Sequence, residues 1–200
     1  MFFSRLALIL HSQKKYRHLM IRNFIVLLIS PKVGWQYIDD KCHSAQRVLG
    51  ALFYPLLAIL AISTFVPMIY DSASHTISSS LMKAIVDFSK YMLSYYLCVY
   101  LLSGFYPQFT RSSLAMSKLS NYVIYNLSFL ILLSILINVL NGEFSPLYFL
   151  ELYMPYIAYR GVDFLCVDSK KSVKFVIISS IMMIAFPHII GWILGSLINR

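Results

Sequence analysis

Four stretches of this chain each hold the roughly 20 mostly apolar residues that a helix needs to cross about 30 Å of hydrocarbon. A fifth reaches that length with charged residues at its start. The pattern predicts spans at about 50–70, 84–106, 119–140, 147–167 and 173–198. The first, GALFYPLLAILAISTFVPMIY, carries Pro55 and Pro67 near its ends, where lost backbone hydrogen bonds are most easily replaced. The third is dotted with Asn121, Asn126, Ser128, Ser134 and Asn138. The second begins with SLMKAIVDFSK, which places Lys83, Asp87 and Lys90 at i, i+4 and i+7, on one stripe that continues into Ser94. Two readings of that stripe stay open. The lysines reach outward from a span end with Asp87 paired between them, or the stripe is a polar seam along a pathway.

Orientation follows from Lys and Arg in the short connections, which tend to stay cytoplasmic. The segment before the first span holds Arg5, Lys14, Lys15, Arg17, Arg22, Lys32, Lys41 and Arg47. The loop after the second span carries Arg111 and Lys118, and the one after the fourth carries Lys170 and Lys171 with Lys174 at its edge. DSASHTISSS and NGEFSP contain no Lys or Arg. The alternation predicts an all-α integral membrane protein of five transmembrane helices, N-terminus cytoplasmic and C-terminus outside. Residues 1–48 form a basic amphipathic N-terminal arm and 49–200 the five-helix domain. The arm's apolar run, Phe24 to Ile29, is too short to cross. It is either an interfacial helix, with Leu19, Phe24, Leu27, Leu28 and Trp35 in the acyl boundary and its basic residues near anionic headgroups, or a cytoplasmic helix packed against the spans. MFFSRLALIL is apolar enough for a secretion signal, yet Arg5 interrupts it and no small-residue cleavage site follows, so no signal peptide is expected.

Composition agrees with the pattern. With 59% hydrophobic and 12% charged residues, the 200-residue chain has more apolar surface than a soluble core of its size could hide. The formal charge of +9 raises nucleic acid as a partner, but no polar stretch is long enough to fold alone, so none is expected. Cys42, Cys98 and Cys166 are far apart, with Cys42 and Cys166 on the cytoplasmic side and Cys98 in a span, and no disulfide is expected. His11, His18, His43, His75 and His188 show no metal-ligand spacing.

The spans hold no convergent catalytic set: no aspartate pair, no Ser with His or Lys, and no zinc motif of the His-Glu-x-x-His kind. The expectation is a protein that is not an enzyme and takes no cofactor. Isolated polar and packing positions remain. His188 follows Pro187 in FPHIIGW and either hydrogen-bonds a neighbouring helix near a kink or serves a proton relay. Gly191 and Gly195 form a G-x-x-x-G that lets another backbone come close. Arg160 and Asp163 interrupt the fourth span near its cytoplasmic end, where an i, i+3 contact would pair them, and Gly161 between them would admit another helix. An odd number of spans does not by itself divide into two inverted halves, although a pore built from several copies stays open.

SPKVGWQYI ahead of FYPLLAILAIS, then a YRGVDFLCVDSKKSVKF hinge into a last span carrying FPHIIGWILGSL, resembles the Yip domain family. These are five-span membrane proteins whose eukaryotic members are Ypt/Rab-interacting proteins. The likeness runs from about Leu28 to Ile198. The long amino-terminal region with an Asp-Leu-Tyr-Gly-Pro type motif, associated with eukaryotic members, is absent, and the short arm is similar to the bacterial branch. The resemblance implies a bacterial inner-membrane location and a membrane-organising or adaptor role. Its partners are the bilayer, anionic headgroups at the arm, and another membrane protein or a second copy. The alternative is a small transporter or channel using Asp87, Arg160, Asp163, Asn126, Asn138 and His188.

Overall fold

The computed structural model describes residues 19–41, 43–70, 76–110, 116–140 and 146–198. Cys42, His75, Arg111 and the basic residues Arg5, Lys14, Lys15 and Arg17 lie outside them. Among the described residues every regular element is helical. In chain order these are α1 (Leu19–Ile29), α2 (Pro31–Lys41), α3 (Ala45–Tyr70), α4 (Ile77–Phe105), α5 (Met116–Val139), α6 (Met154–Arg160) and α7 (Ser172–Ile198). Three of them are long and apolar enough to cross a membrane: α3, α5, and α7 as far as Leu197.

Helix α5 is the axis of the bundle. It is apolar on every side, and a helix of that kind belongs in the middle. Leu119 through Ile131 are buried without a break. Helix α3 packs against α4 and α5, and α4 lies along α7. Within α3, Leu49–Phe53 is a π-helical turn, and the chain returns to α-helix at Tyr54 with Pro55 in the first turn.

Helix α4 starts at Ile77 rather than near 84, because Thr76 and Ser79 close a reciprocal cap. The Ser79 amide donates to Thr76 Oγ1 at 3.2 Å and the Thr76 amide to Ser79 Oγ at 3.0 Å. Two of the orphan amides at the helix start are thereby satisfied. At 29 residues α4 is about 43 Å long.

The stretch read as a fourth span is not one continuous helix. It comprises a 3-10 segment, Pro146–Tyr153, followed by α6 and then a run of turns. Pro155 has no N–H to extend a helix from the 3-10 segment, and it sits in the first turn of α6. At Gly161 the helix ends, its amide shared between the carbonyls of Ile157 (3.2 Å) and Ala158 (3.0 Å). The turns that follow are held to the end of α4. The Tyr106 hydroxyl donates to the Leu165 carbonyl, Thr110 Oγ1 to Cys166 O at 3.0 Å, and the Asp168 amide to Phe109 O at 3.0 Å.

The arm folds against the bundle. Helices α1 and α2 meet at Gly34, where an added Cβ would lie 2.4 Å from the Leu27 Cα. Met20, Phe24, Leu27, Trp35 and Ile38 are buried inside the protein, so Phe24, Leu27 and Trp35 face the core rather than an acyl boundary. The outward stripe of α1 is instead Ile21, Ile25 and Ile29, the last 80% exposed.

Candidate functional site

Two places gather the polar residues that the sequence marks out. One is built around Trp35 and Gly161. The indole N–H of Trp35 donates to the Ile157 carbonyl at 2.9 Å, and its ring stacks between Tyr122 and Phe164, with centroids 5.6 and 5.2 Å away. Gly161 is what permits this. A Cβ there would stand 2.8 Å from Trp35 Cε2 and 2.9 Å from Tyr122 Cε2. What Gly161 admits is therefore an aromatic side chain of the arm rather than a helix backbone.

Arg160 and Asp163 flank this contact and are both exposed. They do not pair: the ion pairs among the described residues join Lys90 to Asp87, Lys118 to Asp39 and His188 to Glu151. An i, i+3 contact requires helix through both positions, and α6 stops at Arg160. The Arg160 guanidinium lies instead over the rings of Tyr156 and Tyr159, 5.3 and 5.9 Å from their centroids. With Lys32 and Asp39 of α2, both residues line a shallow cleft of about 130 Å³.

The second place is a cleft of about 210 Å³ between α4, α5, the 3-10 segment and α7. The α4 stripe supplies Lys83, Asp87 and Lys90. Asp87 is buried, with 8% of its side chain exposed, and pairs with Lys90 at 2.6 Å. Burying that carboxylate without a partner would be expensive, and the neighbouring ammonium removes most of the cost. Across the cleft, His188 Nε2 lies 3.1 Å from Glu151 Oε2. His188 thus meets a side chain of the 3-10 segment just beyond Pro187, as a hydrogen-bonding histidine near a proline. The Tyr91 hydroxyl donates to the Leu130 carbonyl at 3.2 Å and lies 2.7 Å from Ser134 Oγ.

Gly191 belongs to this site as well. A Cβ on it would come within 3.3 Å of Lys90 Cδ, so the lysine stem lies along the glycine face of α7. Gly195 has nothing within 4 Å of an added Cβ and lines an adjoining groove with Lys83. The G-x-x-x-G pair therefore accommodates a lysine and an open groove.

Asp87, Lys90, His188 and Gly191 converge, whereas Arg160, Gly161 and Asp163 form a separate site under the arm. Glu151 was not marked by the sequence, although a lone carboxylate in an otherwise apolar stretch is a signal that could have found it. The cleft offers charge and hydrogen bonds. Among the described residues no three His, Cys, Asp or Glu side chains stand close enough together to hold a metal ion. No protein-family model, no curated protein and no solved structure matches this chain.

Proposed function

We propose that this chain is a five-span integral membrane protein of Yip-like type, resident in a bacterial inner membrane. In this reading the N-terminus is cytoplasmic and the C-terminus outside. The protein works by binding rather than by catalysis, as a membrane-organising or adaptor component. The observation that carries the reading is the lock between Trp35 and the Ile157–Gly161 segment, because it joins the two stretches on which the resemblance rests, SPKVGWQYI and YRGVDF. Helix α4, at about 43 Å, and the 3-10 segment with α6, together about 27 Å of helical path, supply the two further crossings. The arm contributes the contact face: its Ile21, Ile25 and Ile29 stripe beside Arg22 and Lys32 suits an anionic bilayer surface or a membrane partner.

Three experiments test this. A reporter active only outside the cytoplasm should work when fused after Arg200 and fail when fused after Lys171; the reverse pattern refutes the orientation. Site-specific crosslinking from Ile25 should capture a discrete membrane partner, and liposomes holding only this protein should show no solute flux. A second reading, a small transporter or channel, is favoured by the charged cleft between α4 and α7. Flux that disappears in Asp87→Asn or His188→Ala would replace the adaptor role with that one.

A further inference from the structure

In the cleft between α4 and α7 both carboxylates have cationic partners, but one lysine has no anionic one among the described residues. Asp87 is taken by Lys90 and Glu151 by His188. The Lys83 ammonium meets the amide oxygen of Asn138 at 2.9 Å, and the ion pairs among the described residues do not include it. Asn138 is itself held in place. Its Nδ2 donates to Ser63 Oγ at 3.0 Å, and that hydroxyl donates to the Leu60 carbonyl at 2.7 Å. A fixed amide dipole orients an ammonium but does not neutralise it, and the two other N–H donors of this exposed lysine have no acceptor among the described residues.

Lys83 also stands at the junction of two spaces. On one side is the cleft; on the other is an open groove of about 510 Å³ along the first turns of α4, lined by Ser79, Met82, Val86 and Gly195. The groove has hydroxyl-bearing residues at one end and apolar side chains along its length. A cation entering here would have to displace Lys90 or His188 from its carboxylate. An anion displaces nothing.

The geometry points to an oxyanion site at Lys83 that takes a phosphate group, carried by a phospholipid head or free. The phosphate oxygens accept these two ammonium protons while Asn138 keeps the third. A glycerol backbone would follow the groove past Met82 and Val86, and inorganic phosphate would occupy the Lys83 end alone. The site does not depend on whether the protein is an adaptor or a transporter.

The test uses the full chain purified in an uncharged detergent. Lipid binding is read by native mass spectrometry and phosphate binding by the shift in thermal unfolding. The probes are dioleoylphosphatidylglycerol, dioleoylglycerol with the same chains but no phosphate, and inorganic phosphate. Phosphatidylglycerol should bind the wild type with preference over dioleoylglycerol, and Lys83→Gln should weaken it about ten-fold while Lys83→Arg retains it. Asn138→Asp is nearly isosteric and places a carboxylate opposite Lys83, so it should fill the site from within and weaken binding to a similar extent. That variant carries the test if Lys83→Gln fails to fold. A response to phosphatidylglycerol alone identifies a lipid head, and a response to inorganic phosphate identifies a free oxyanion; either supports the site if Asn138→Asp removes it. Equal binding by wild type and Asn138→Asp, equal binding of the two lipids without a phosphate response, or no binding by the wild type overturns it.

Discussion

The indole of Trp35 and the carbonyl of Ile157, 122 residues apart in sequence, share a 2.9 Å hydrogen bond that fastens the amino-terminal arm to the segment after α5. Both partners are buried, so the bond is also an obligation: either group left alone would lack a partner away from water.

Trp35→Phe should therefore lower stability by about 1–3 kcal/mol, since it orphans the Ile157 carbonyl while keeping an aromatic ring. Gly161→Ala should cost about as much by overpacking, because the new Cβ would meet the indole at 2.8 Å. The two changes act on one contact and should not add. Thermal unfolding in detergent measures all three, and limited proteolysis should show the arm released in each.

Arg160→Ala and Asp163→Ala should add. The two side chains make no ion pair, and Arg160 rests on Tyr156 and Tyr159. A double-mutant cycle should return a coupling energy below about 0.5 kcal/mol. A coupling well above that would restore a direct pair.

The Asp87–Lys90 pair should respond unequally to loss of its partners. Lys90→Met leaves a carboxylate with 8% exposure and without its ion-pair partner, for a cost of about 3 kcal/mol or more. Asp87→Asn leaves an ammonium on a long stem, 21% exposed, that can extend toward water, and should cost less. Combining the two should recover part of the Lys90→Met loss, as read from folded yield and unfolding temperature.

His43, between α2 and α3, is held below the ordinary imidazole range, first by burial and then by the charges of Arg47 and Lys41. A depressed pKa means that the unfolded chain takes up the proton more readily. The His43 contribution is thus complete above about pH 6.5, the unfolded value, and is lost as the pH falls through the lower folded value. Wild type should lose unfolding temperature on acidification faster than His43→Gln, and parallel profiles would remove His43 from the account.

Apolar runs made α3, α5 and α7 legible, because a helix apolar on most sides needs no partner to be recognised. The expected spans at about 50–70, 119–140 and 173–198 lie close to Ala45–Tyr70, Met116–Val139 and Ser172–Leu197. The start of α4 was less legible, since Thr76 and Ser79 sit in a serine-rich stretch that reads as loop and their cap emerges only when both hydrogen bonds form. Between 147 and 167 hydrophobicity alone could not separate one α-helix from a 3-10 segment, a short helix and turns, although Pro155 and Gly161 were visible breakers. The charged stripe of α4 was visible as a stripe. That it meets Glu151 and His188 depends on how α4, α7 and the 3-10 segment pack, which no local pattern encodes.

Contacts to α5 hold the chain on either side of the π-helical turn in α3: the Ala45 amide donates to Ser117 Oγ and Asn121 Nδ2 to the His43 carbonyl, while Ser63 Oγ accepts from Asn138. The π-helical turn at Leu49–Phe53 lies between these contacts and takes up one residue more than an α-helical turn would. It sets the angular phase between the two halves of the helix. Wound as plain α-helix with no residue removed, the same stretch would swing everything upstream by about 100°, one residue's rotation. His43 and Ala45 would face away from α5, and the arm that ends at Lys41 would be aimed past its seat.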